Sequence, residues 1–151
     1  MIAWRYLDKQ QATLNALNDY KNMETIIEIT PQEIKDIRVD MFKTRRSAPD
    51  GMPHNRDIRS GENMLCSAID QCDVMNNRYQ QAVEFMSWFA PAWLQLSEDE
   101  QILLETFYIE ENSKTAAIDE ISEKLHIERA QIYRRKDKAL NRLTVFLYGN
   151  K

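Results

Sequence analysis

The chain has 151 residues, 43% of them hydrophobic, with a formal net charge of -4. That length suits one ordinary domain or two small helical ones with a real core. Only three Gly and four Pro, with seven Met and no alternating strand segment, point to an all-helical soluble chain and argue against a sheet protein. Met1 to Asp8 contains Arg5 and Asp8 and shows no signal-peptide core, and no apolar run reaches membrane-spanning length, so a cytoplasmic location is expected.

Leu7, Leu14, Leu17, Tyr20, Met23 and Ile27 recur at helical spacing, which predicts an amphipathic helix from about Ala3 to Ile29. Thr30-Pro31-Gln32-Glu33 then reads as an N-cap, a first-turn proline and a capping carboxylate, opening a second helix that runs to about Lys43. Between Thr44 and Gly61 lie Pro49, Gly51, Pro53 and Gly61 together with Arg45, Arg46, Arg56 and Arg59. This composition predicts an irregular basic loop, either a contact for a nucleic-acid backbone or a solvated connector.

From Glu62 to Ala90 the residues Leu65, Ala68, Cys72, Met75, Tyr79, Ala82, Met86 and Phe89 alternate by three and four, a heptad seam. Such a seam needs a facing helix, supplied by the first helix folded back as a hairpin or by the same helix of another subunit. Phe85, Trp88, Phe89 and Trp93, interrupted by Pro91, mark an apolar junction where this helix ends. The expected organisation is a helical hairpin and oligomerisation region over 1–96, followed by a trihelical helix-turn-helix module over 97–151.

Ser97-Glu98-Asp99-Glu100 is a capping box, and Ile102, Leu103 and Phe107 give the supporting helix a core face. After a polar loop from Glu110 to Lys114, Thr115 can cap a short helix that points Ala117, Ile118, Ile121 and Leu125 inward. His126-Ile127 makes the turn, and Glu128 opens the last helix. At about 100° per residue, Ile132, Ala139 and Leu143 fall on one side of that helix, with Leu140 and Leu147 at the edge. Gln131, Arg134, Arg135, Lys138 and Arg142 fall on the other. From Arg129 to Arg142 six Lys or Arg face one acid, Asp137, whereas Ser97 to Glu128 holds ten acids against Lys114 and Lys124. A solvated helix ordinarily mixes its signs for i,i+4 support. A one-signed face therefore suits phosphate oxygens or an acidic protein surface, or else it neutralises the acidic helices before it.

The run IDEISEKLHIERAQIYRRKDKALNRL, Ile118 to Leu143, resembles the DNA-binding helix-turn-helix of the fourth conserved region of bacterial sigma factors. In its overall organisation the chain resembles phage late-gene transcription regulators of the RinA and ArpU type. The resemblance implies that Ile121, Leu125, Ile127, Ile132, Ala139 and Leu143 are core and that Arg129, Gln131, Arg134, Arg135 and Lys138 contact a DNA groove or its phosphates. Periodicity adds Arg142 as a phosphate contact. Two positions depart from the pattern, which has Gly in the turn where this chain has His126 and a Ser or Thr cap where it has Glu128.

The leading expectation is a sequence-specific transcription regulator, phage or prophage encoded, that places the 128–148 helix in the major groove of double-stranded DNA. RNA polymerase is a further candidate partner, and a homo-oligomer, with a dimer favoured, is expected to supply two such helices. The alternatives are a DNA-packaging subunit resembling the small terminase and a protein-interaction module for an acidic partner. Cys66 and Cys72 are spaced six apart, unsuited to a mutual bridge, and His54 and His126 stand alone. No metal, cofactor or catalytic residue is expected, and the sequence gives no reason to expect an enzyme.

Overall fold

A computed structural model describes residues 8–46, 58–110 and 113–149. The protein is all-α, with five α-helices among the described residues: α1 Lys9–Arg46, α2 Ile58–Leu94, α3 Glu98–Leu104, α4 Lys114–Leu125 and α5 Arg129–Tyr148. A π-helical turn, Glu105–Ile109, follows α3 directly. There is no strand among the described residues. Nor is any of their helices long and apolar enough to cross a membrane.

Where two helices were expected on either side of Thr30-Pro31, α1 is a single helix with Pro31 inside it. An interior proline removes one i to i-4 hydrogen bond and crowds the carbonyl four residues back, at a cost of about 3 kcal/mol. The capping residues are used otherwise. Thr30 is fully buried and its Oγ1 accepts from Arg78 Nη2 at 3.3 Å, while Glu33 pairs with the same nitrogen at 2.7 Å. Side-chain contacts with α2 thus override the local start signal. Of the segment expected to be irregular over 44–61, residues 44–46 belong to α1 and 58–61 to α2. Residues 47–57, with Arg56 and His54, lie outside the described residues, as do the side chains of Arg45 and Arg46.

Helix α2 continues through Pro91 to Leu94, past the expected end at Ala90. Its terminal carbonyls find partners: Gln101 Nε2 donates to Trp93 O at 2.9 Å and to Leu96 O at 3.4 Å. All eight residues of the heptad seam are buried or half-buried within the single chain. Of the two readings of that seam, the chain's own structure already takes these side chains out of water.

The packing divides into two compact units, one joining the residues up to Met23 with those from Phe85 onward, the other Glu24–Glu84. In the first unit Ala16 and Leu17 of α1, Phe89, Ala92 and Trp93 of α2, and Leu140, Leu143 and Leu147 of α5 share one core. Tyr20 lies against Phe89 and Trp93 with ring centroids 5.0 and 5.6 Å apart, and Trp88 meets Tyr148 edge-on at 5.5 Å. The units therefore part at 23/24 and 84/85, where the sequence suggested a division at 96/97. Helix α5 is long enough for its C-terminal half to pack on the ends of α1 and α2. Among the described residues of the second unit only Thr30, Cys72 and Ala82 are buried, and Val74, Phe42 and Met64 stand well exposed.

Pro31 is exposed, so Pro31→Ala restores the missing backbone bond without leaving a cavity. Partly offset by the greater freedom of the unfolded chain, the substitution should raise stability by about 2 kcal/mol. Urea denaturation followed by circular dichroism measures this, and an unchanged or lower midpoint contradicts a continuous α1.

Candidate nucleic-acid interface

Helix α4 starts two residues before the expected position. Ser113, not Thr115, is its N-cap, with φ -62° and ψ 147° and with Oγ accepting from Ala116 N at 3.3 Å. At the other end His126 takes the left-handed conformation, φ 53° and ψ 47°, the one described non-glycine residue with positive φ. This is the position at which the resemblance calls for Gly, and the backbone geometry explains why: a Cβ is strained there. Ser122 Oγ donates to Ile127 O at 3.0 Å and helps hold the turn. Glu128 is the N-cap residue of α5 by backbone only. Its carbonyl accepts from Gln131 N and Ile132 N, and its side chain makes no capping bond.

Ile127, 7% exposed, and Ile132, fully buried, close a second core with Leu103, Ile118 and Ile121. That core sets how α5 lies on α3 and α4. Ile132, Ala139, Leu140, Leu143 and Leu147 of α5 are buried. Arg129, Gln131, Arg134, Arg135, Lys138 and Arg142 are all exposed. The split inferred from helical spacing is the split in the structure.

Electrostatics divides these six further. Arg129 Nη2 donates to Asp119 Oδ1 at 2.7 Å, an exposed ion pair between α4 and α5. Arg142 Nη1 donates to both oxygens of Glu100 at 2.7 Å, and its guanidinium lies 5.6 Å from the Phe146 ring centre. Gln131, Arg134, Arg135 and Lys138 have no hydrogen-bond or ion-pair partner among the described residues. They are the polar groups on this face left open to another molecule. Along the same side of α5, Arg134, Lys138, Arg142, Val145 and Phe146 line a shallow open groove.

Lys136 goes elsewhere. Its Nζ lies 5.3, 5.8 and 5.6 Å from the ring centres of Phe107, Tyr108 and Tyr133, with Asp137 Oδ1 at 3.5 Å. The side chain is only 18% exposed, so this cation is a packing element of the module and no part of its outer face. The wider π-helical turn brings the consecutive residues Phe107 and Tyr108 to the same ammonium. The sequence does carry the signal, since Lys136 lies about 40° from Ile132 around the helix, within the apolar stripe.

Glu100 has two duties. Its backbone N–H donates to Ser97 Oγ at 3.3 Å and its carboxylate accepts from Ser97 N at 3.0 Å, completing the expected capping box, while it also holds Arg142. Burial pushes its pKa up, but the Ser97 N–H and the Arg142 guanidinium outweigh this and leave the carboxyl below its usual range. Cys66 is exposed and Cys72 buried, both as free thiols. Among the described residues no cluster of His, Cys, Asp or Glu could hold a metal ion. No protein family matches the chain, and neither does any curated protein or solved structure.

Two measurements follow from this geometry. His126→Gly should raise stability by about 0.5–1 kcal/mol, relief of left-handed strain minus the added freedom of Gly, whereas His126→Val should lower it; a drop with Gly contradicts the turn conformation. A depressed folded pKa means that Glu100 stabilises the fold above its unfolded pKa and that this is lost as pH falls through the lower, folded value. Glu100→Gln should therefore cost about 1 kcal/mol at pH 7 and much less near pH 3, as read from denaturation midpoints at the two pH values. An equal cost at both would remove the ion pair from the account.

Proposed function

We propose that this protein is a sequence-specific DNA-binding transcription regulator that lays α5 in the major groove. One observation supports this reading above the others: Gln131, Arg134, Arg135 and Lys138 project from one exposed helix face with no partner among the described residues, while the opposite face is locked into a core. A short turn between α4 and α5 and an inward Ile127 and Ile132 are what a helix-turn-helix needs to present its second helix. Arg134 and Arg135 read guanine edges or clamp phosphates, Gln131 is suited to adenine, and Lys138 meets a phosphate. Arg129 and Arg142 are secondary contacts, because each must share or release a carboxylate to reach DNA. The net charge of -4 weakens non-specific attraction, so selectivity comes from the local face, and a dimer that links two such faces gains effective concentration for the second contact. A phage or prophage origin and recruitment of RNA polymerase belong to the same proposal and rest on the resemblance of Ile118 to Leu143.

A second reading is supported by the groove on α5, where Val145 and Phe146 are exposed beside Arg142. Apolar side chains next to cations suit an acidic protein segment better than a phosphate backbone.

Selection of a binding site from a random duplex library, then fluorescence anisotropy over a salt series, tests the leading reading. Arg134→Ala with Arg135→Ala should leave the thermal midpoint unchanged and weaken selected DNA by about 2 kcal/mol or more, some thirtyfold. Lys138→Ala should weaken all duplexes alike and lower the salt slope by about one. Parental affinity in the double variant removes these residues from the interface, and a failure to select any duplex favours the acidic-partner reading.

A further inference from the structure

We propose that the outer face of α2 in the Glu24–Glu84 unit docks the α2 helix of a second copy, antiparallel, about a two-fold axis at Val74. This deepens the dimeric part of the preceding reading by assigning it a surface, a register and a symmetry.

The need for a partner comes from burial. Two helices form a single layer, and a layer has to cover its second face. In this unit the seam from Leu65 to Ala82 is already turned inward, yet among its described residues only Thr30, Cys72 and Ala82 are buried. Val74 remains 66% exposed on the far side of α2. It sits in an open groove formed by Ser67, Asp70, Gln71 and Arg78, whose small Ser67 leaves room for a facing ridge.

Charge selects the occupant. Asp70, Val74 and Arg78 stand four residues apart on one ridge of α2, with an acid on one side of Val74 and a base on the other. Asp70 is exposed and has no hydrogen-bond or ion-pair partner among the described residues. Arg78 uses Nη2 for Glu33 and Thr30, and its Nε is buried without a partner. Within one helix Asp70 and Arg78 are about 12 Å apart along the axis and cannot meet. A reversed copy centred on Val74 places each Asp70 opposite the other chain's Arg78, so residue i meets j and j meets i, as an isologous contact requires. DNA is a poor fit for this groove, since Asp70 would face its phosphates.

A residue on the axis meets its own copy, which makes the register testable by cross-linking. Helices packed about 9–10 Å apart bring the axial Cα atoms to about 4.4–5.4 Å, within disulfide reach. In full-length protein carrying Cys66→Ser, Val74→Cys should give a covalent dimer on mild oxidation, and Ser67→Cys, seven residues off the axis, should not. Asp70→Arg sets arginine against arginine twice and should shift the monomer–dimer equilibrium at least tenfold toward monomer in sedimentation, whereas Asp70→Glu should keep the dimer. A parent that stays monomeric at micromolar concentration overturns both this surface and the dimeric reading. A dimer that ignores Asp70→Arg, or cross-links as well at 67 as at 74, overturns this surface alone. No DNA enters these measurements, so their failure is separate from any failure of DNA recognition.

Discussion

Helix α5 belongs to two cores at once, and the placement of every candidate contact follows from that. Near its start, Ile132 fills the space between Ile118, Ile121, Ile127 and Leu103. Further along, Leu140, Leu143 and Leu147 pack with Leu17, Phe89 and Trp93. A helix held at two places along one stripe cannot rotate about its axis without emptying both cores, and each large side chain left half-packed costs on the order of 2–5 kcal/mol. The basic face is therefore fixed by apolar contacts on the opposite side, and the cations themselves do little to determine where they point.

The polar interactions around α5 then decide which cations remain available. Asp119 and Glu100 reach Arg129 and Arg142 from α4 and α3, and the Phe107, Tyr108 and Tyr133 rings surround Lys136. These three engagements lie around the margins of the helix and leave Gln131, Arg134, Arg135 and Lys138 clear in between. Exposed ion pairs such as Arg129 with Asp119 contribute little to stability, so exchanging a carboxylate for a phosphate there is nearly neutral. Arg142 differs, because Glu100 is 14% exposed and also caps α3, so releasing the guanidinium would disturb a helix end.

Long helices α1 and α2 serve a different balance. Their ends near α5 supply the aromatic side of a real core, whereas their Glu24–Glu84 portion buries few side chains and holds polar groups such as Thr30 and Arg78 against each other. Thr30 is the telling residue. Its hydroxyl could have capped a new helix, and the neighbouring Pro31 was suited to the first turn, but α1 is continuous there and the hydroxyl accepts from Arg78 of α2 instead.

The all-helical class, the capping box at Ser97, a turn at His126-Ile127 and the division of α5 into a buried and a basic face were legible in the sequence alone. Each of these rests on interactions within a few residues: cap hydrogen bonds, the 3.6-residue period and the scarcity of Gly, Pro and β-branched runs. Even the strain at His126 was legible, as a missing glycine. Only the tertiary structure decided that α1 passes through Pro31, that α2 passes through Pro91, and that Lys136 belongs to the aromatic cluster while Arg142 belongs to Glu100. It also decided that the core of α5 extends to Leu17 and Phe89, across the division expected at residue 96. Several of those outcomes involve partners far along the chain, such as Arg78 for Thr30, 48 residues away, and Glu100 for Arg142, 42 residues away. Local signals fix what a segment can form, and long-range packing energy, large enough to outweigh an interior proline, selects what it does form.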